Sequence, residues 1–170
     1  GSTNGSFVGI GADRCVIGID VESAFAIGVS VTNGMFAPFG AWEGSRAVLL
    51  REGNSGNLAL MNCSFWAVPA SLAEVKGGSL TMNACNIHEW ALGLKDSSCF
   101  IVTGGRLNAN GCTFNRGGQL AVVTGKTTRV TFMGNMGVSP LEITDGIGDR
   151  MVCLGNNPEI QVRPVPPAQP

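Results

Sequence analysis

The chain has 170 residues, 25 of them glycine, with 14% charged residues and a net charge of −1. That length fits one domain. The near-neutral charge without a basic stripe gives nucleic acid no electrostatic foothold, and no apolar run reaches membrane-spanning length. One histidine, no C-x-x-C spacing and no Cys/His cluster give no reason to expect a metal or a cofactor.

A short pattern, apolar-x-apolar-x-small-(Cys/Asn/Gly)-x-apolar, recurs along the chain. It opens weakly at Val8-Gly-Ile-Gly-Ala-Asp13 and returns as Val29-Ser-Val-Thr-Asn-Gly-Met-Phe36, Leu58-Ala-Leu-Met-Asn-Cys-Ser-Phe65 and Leu80-Thr-Met-Asn-Ala-Cys-Asn-Ile87. It continues as Leu107-Asn-Ala-Asn-Gly-Cys-Thr-Phe114, Val130-Thr-Phe-Met-Gly-Asn135 and Met151-Val-Cys-Leu-Gly-Asn156. Alternation with period two predicts strands with one buried face. Copies starting at residues 8, 29, 58, 80, 107, 130 and 151 are 21, 29, 22, 27, 23 and 21 residues apart, which is solenoid spacing.

A second strand is expected between the copies. Ile17-Gly-Ile19, Ala47–Arg51, Leu72–Lys76, Ala91–Lys95, Leu120–Thr124 and Pro140–Thr144 align for it, and Cys99-Phe-Ile-Val102 is read as an additional third strand. The fold class is therefore all-β: a right-handed parallel β-helix of about seven rungs over residues 1–157, followed by a Pro-rich C-terminal tail over 158–170. Handedness is taken from the preference of parallel crossovers.

Stacking turns the alignment into columns. Cys63, Cys85 and Cys112 fall in one inward column continued by Asn135 and Asn156, and Phe36, Phe65, Ile87 and Phe114 fall in another. The three cysteines are read as buried free thiols, because strand neighbours have poor disulfide geometry. A bridge is the alternative. Val8 starts a rung with no capping helix before it. The open end is thus expected to be covered by the first seven residues, by a second copy in a homo-oligomer, or by N-terminal rungs of a longer β-helix.

The copies with aromatic turns, such as Cys63-Ser-Phe-Trp66 and Cys112-Thr-Phe114, resemble the pectate-lyase-like superfamily of parallel β-helices. They are most similar to the later rungs of bacterial proteins related to polygalacturonases. The resemblance implies an extracellular or cell-surface protein that acts on, or binds, acidic or neutral polysaccharide. The polygalacturonase pattern of Asn-Thr-Asp, paired Asp, Gly-His-Gly and Arg-Ile-Lys is not present, so no catalytic residue is carried over.

The leading candidate site is aromatic. Trp42 in the long loop, Trp66, the run His88-Glu89-Trp90, and Asn115-Arg116 all leave the prism at one corner. Indoles stack on sugar faces, and Glu or Arg fixes hydroxyls and carboxylates. Trp42, Trp66, His88, Trp90 and Arg116 are the expected substrate contacts, and Glu89 is the first acid to test for glycosidic cleavage. The competing reading folds the tryptophans over the rungs as packing.

Two further columns are weighed. Glu52, Asp96 and Asp145 align as turn acids two rungs apart, within reach of glycosidase spacing, although turn chemistry is the preferred explanation. Asp20, Arg51, Lys76, Lys95, Thr124 and Thr144 align as an outward column that could hold an acidic glycan, with ordinary solvated surface as the alternative. A structural solenoid that assembles into an oligomer or fibre is the rival to the polysaccharide reading.

Overall fold

In a computed structural model, residues 4–22, 28–37, 44–66, 71–92, 98–125, 128–138 and 141–165 are described. The strands come in successive triples. They are β1 (Asn4–Val8), β2 (Gly11–Ala12) and β3 (Ile17–Val21), then β4 (Gly28–Thr32), β5 (Met35–Phe36) and β6 (Arg46–Leu50). Next are β7 (Asn57–Met61), β8 (Ser64–Phe65) and β9 (Ser71–Val75), then β10 (Ser79–Asn83), β11 (Asn86–Trp90) and β12 (Ser98–Val102). Then come β13 (Arg106–Asn110), β14 (Thr113–Gly117) and β15 (Gln119–Val123), followed by β16 (Arg129–Met133), β17 (Met136–Gly137) and β18 (Leu141–Asp145). A 3-10 turn at Gly148–Arg150 leads into β19 (Met151–Leu154), and β20 (Ile160–Pro164) is last.

The first strand of each triple pairs with the first of the next, and so on, giving three parallel sheets of seven, six and seven strands. The protein is a parallel β-solenoid. We call the sheets A (β1 to β19), B (β2 to β17) and C (β3 to β20), in the order the chain visits them.

Alternation along each strand sends one set of side chains inward. Val31, Leu60, Met82, Ala109 and Phe132 stack in sheet A, and Phe36, Phe65, Ile87 and Phe114 stack in sheet B. All of these are buried. Phe36 and Phe65 lie nearly parallel with ring centroids 5.0 Å apart, as a one-rung stack of about 4.8 Å requires.

The corner from sheet A to sheet B is built the same way each time. One residue takes a left-handed conformation: Gly9, Asn33, Asn62, Ala84, Gly111, Gly134 and Gly155 have φ between 51° and 67°. In the five later corners the next residue is Cys or Asn, and its side chain fastens the corner. Cys63, Cys85 and Cys112 place Sγ 3.5, 3.4 and 3.6 Å from the carbonyls of Val31, Leu60 and Met82, one rung earlier. Asn135 and Asn156 donate from Nδ2 to the carbonyls of Ala109 and Phe132 at 2.9 and 3.0 Å.

The same side chains accept the N–H of the column residue before them. Gly34 donates to Cys63 at 3.4 Å, Cys112 to Asn135 at 2.9 Å, and Asn135 to Asn156 at 3.0 Å. The column therefore needs a small side chain that can both donate and accept, which is what Cys and Asn share. All six cysteines are free thiols. Hydrogen bonding to Cys112 and burial push Cys85 up to about 12. Hydrogen bonding to Cys85 and burial push Cys63 higher still.

Three alignments read from the sequence are corrected. Val29 pairs with Gly5, not Val8, because β1 begins earlier and Val8 ends it. The sheet C strand between β9 and β15 is Ser98–Val102, not Ala91–Lys95, so Cys99–Val102 is no extra strand. Asp20 heads an outward column of Leu49, Glu74, Ile101, Val122, Thr144 and Arg163, not one with Arg51 and Lys76. In the stretch expected to be a tail, β20 pairs with β18 over Ile160–Pro164.

Candidate functional site

The register of sheet B sets the site. Because Phe65, Ile87 and Phe114 are paired neighbours, the residues that follow them, Trp66, His88 and Asn115, lie in line on the outer face. Trp66 is 60% exposed. Its ring centroid lies 6.1 Å from that of His88, tilted by 49°.

Asn115 Nδ2 donates to Asn86 Oδ1 at 3.3 Å and lies 3.4 Å from His88 Nδ1. Beside this line, Glu89 pairs with Arg116 at 3.4 Å across β11 and β14. Trp66, His88, Glu89, Asn115 and Arg116 together line a shallow groove of about 270 Å³.

The structure thus brings together Trp66, His88, Glu89 and Arg116 of the expected site, with Asn115. Trp42 lies outside the described residues. Trp90 is corrected: it is 0% exposed, not on the groove surface. Ile87 and Trp90 are three residues apart on one strand and both are buried, so the in–out alternation slips between them. The Trp90 ring meets Phe114 edge-on at 5.6 Å, and its indole N–H is 3.2 and 3.3 Å from the carbonyls of Gly118 and Gln119. A Cβ on Gly117 would lie 2.2 Å from that ring, so Gly117 leaves the space the indole occupies. The Gly117-Gly118 pair one rung on was the sequence signal for this packing.

The other candidate columns come apart. Asp145 is in register with Val123, Val102, Val75 and Leu50, not with Glu52, and Asp96 lies outside the described residues. The Asp145 carboxylate accepts the N–H groups of Ile147 at 2.7 Å and Gly148 at 3.1 Å, which is turn chemistry.

On sheet C, Arg51 grips Asp20 with two bonds of 2.9 and 2.8 Å. That hydrogen bond holds the Asp20 carboxyl below its usual range. Glu74 pairs with Arg46 and, at 2.9 Å, with Lys76. Arg51 and Lys76 therefore already have carboxylate partners, and Lys95 lies outside the described residues. Among the described residues no group of three or more His, Cys, Asp or Glu is placed to hold a metal ion.

Comparison of the chain with protein-family models, with curated proteins and with solved structures gives no match.

Proposed function

We propose that this solenoid is a polysaccharide-binding domain of the pectate-lyase-like kind, working at a cell surface or outside the cell, and that the groove on sheet B holds the glycan. The observation that carries the reading is Trp66. A large indole held 60% exposed beside an imidazole, an amide and a Glu–Arg pair offers an apolar platform with hydrogen-bonding groups around it, which is what a pyranose ring needs. The three strands fix these groups one rung apart, on a rigid support.

The reading is binding, not cleavage. Hydrolysis by the usual route takes two carboxylates, and among the described residues the groove lining has one, Glu89, paired with Arg116.

The test is a glycan panel read by intrinsic tryptophan fluorescence. Trp90 is buried and supplies a steady background, and because Trp42 is common to parent and variant, the part of the change that Trp66→Ala removes reports the groove. A saturable change with one polysaccharide class is expected, and Trp66→Ala is expected to weaken binding at least about tenfold, or about 1.4 kcal/mol. No response to any glycan, or equal affinity in Trp66→Ala, would sink the reading.

A further inference from the structure

The linear sequence shows no basic stripe, but the register of sheet A builds one. Arg106 opens β13 and Arg129 opens β16, and the two are direct partners in the ladder. Met151 pairs with Val130, so Arg150 falls next in the same column. Three arginines thus follow one another at about 4.8 Å per rung. Like charges set opposite each other on neighbouring strands destabilise a sheet.

Their partners set them apart from the other basic residues. Among the described residues, Arg46, Arg51, Lys76, Arg116 and Arg163 each pair with a carboxylate, whereas Arg106 and Arg129 pair with none. Both are exposed. Arg150 donates from Nε to the Ile147 carbonyl at 3.2 Å and from Nη1 to the Gly125 carbonyl at 3.1 Å, which fixes its place in the column. Nearby, Asp145 turns its carboxylate to the N–H groups of Ile147 and Gly148, and Asp149, next to Arg150 in the chain, is exposed. Beside the arginines, Asn108 and Thr131 pair on the same outer face and offer an amide and a hydroxyl.

We propose that this column on sheet A is a second binding site, which takes a linear anionic glycan laid along the axis, a carboxylate or sulfate against each guanidinium. The planar fork of arginine suits such oxyanions, two hydrogen bonds at a time. A linear glycan with one anionic group per sugar repeats close to the rung spacing. Successive groups therefore meet successive arginines, while Asn108 and Thr131 meet hydroxyls. Nucleic acid fits less well: each strand of duplex DNA advances about 3.4 Å per charge, out of step with the rungs. The column lies on a different sheet from Trp66, and the inference does not rest on the reading of sheet B.

Calorimetric titration of the intact protein with a polyuronate, a sulfated glycan and an uncharged glycan of equal length tests it. One or both anionic glycans are expected to bind, with affinity falling as salt rises, and the one that binds tells carboxylate from sulfate. Arg106→Gln combined with Arg129→Gln is expected to weaken that binding at least about tenfold and to leave any Trp66 fluorescence response to a glycan unchanged. Arg106→Lys combined with Arg129→Lys keeps the charge and loses the fork, and is expected to weaken binding about threefold. No binding of either anionic glycan overturns the proposal, as does binding that survives the glutamine pair. Equal affinity for a single-stranded oligonucleotide of the same charge overturns the assignment to a glycan. If circular dichroism shows that the glutamine pair does not fold, unchanged affinity of the lysine pair overturns the proposal alone.

Discussion

Ala84 sits at φ 51° in a corner position that Asn33, Asn62, Gly111, Gly134 and Gly155 occupy in other rungs. A left-handed backbone crowds a Cβ against the carbonyl and costs about 1–2 kcal/mol. Glycine removes that cost and asparagine tolerates it better than other residues; Asn62 also donates to Asn33 of the preceding rung at 2.7 Å. Ala84 has neither remedy and its side chain is exposed, so nothing is lost by removing it. Ala84→Gly is expected to stabilise by about 1 kcal/mol after the added unfolded-state entropy is subtracted. The check is a higher urea midpoint at unchanged slope. The neighbouring inward position follows the opposite rule: Asn135 is fully buried and satisfies both a carbonyl and an N–H, so it tolerates no apolar replacement.

A strand in this molecule is fixed by its neighbours above and below as much as by its own sequence. The end of β14 shows it: Gly117 is small because Trp90 of β11 lies against it. Gly117→Ala is expected to cost about 1–3 kcal/mol by overpacking, seen in thermal melts and in altered fluorescence of the displaced indole. The same dependence explains what could be read from the sequence. Sheets A and B were legible because strand, left-handed corner and Cys/Asn fastening come at fixed offsets, so Cys63, Cys85, Cys112 and Asn135 align without ambiguity. Sheet C was less so. Its spacing from the corner varies, and in one rung Ala91–Lys95 and Ser98–Val102 both have the composition of a strand; only pairing with β9 and β15 selects the second. For the groove, alternation alone carried Trp66 and His88 to the outer face, and carried Trp90 there too. The slip after Ile87 is a consequence of the next rung's glycines, which a single strand does not encode.

Burial over the whole molecule is graded along the axis. The middle strands have fully buried inward residues such as Leu80, Met82, Leu107 and Phe114, while Phe7, Val8 and Ile10 at one end and Val152, Leu154 and Val162 at the other are exposed. Rungs pair with their neighbours in all three sheets, so stability is close to a sum of local terms with weak ends. Amide exchange is therefore expected to be slowest in β10 to β15 and fastest in β1 to β3. A flat profile from end to end would contradict the graded burial. The ladders of all three sheets have a mechanical consequence. Their hydrogen bonds lie across the strands and hence along the axis. Tension applied between the two ends loads the rungs in series, so they peel one at a time, each at low force. A load across the rod meets many ladder bonds acting together. The molecule is therefore soft when stretched lengthwise and stiff when sheared.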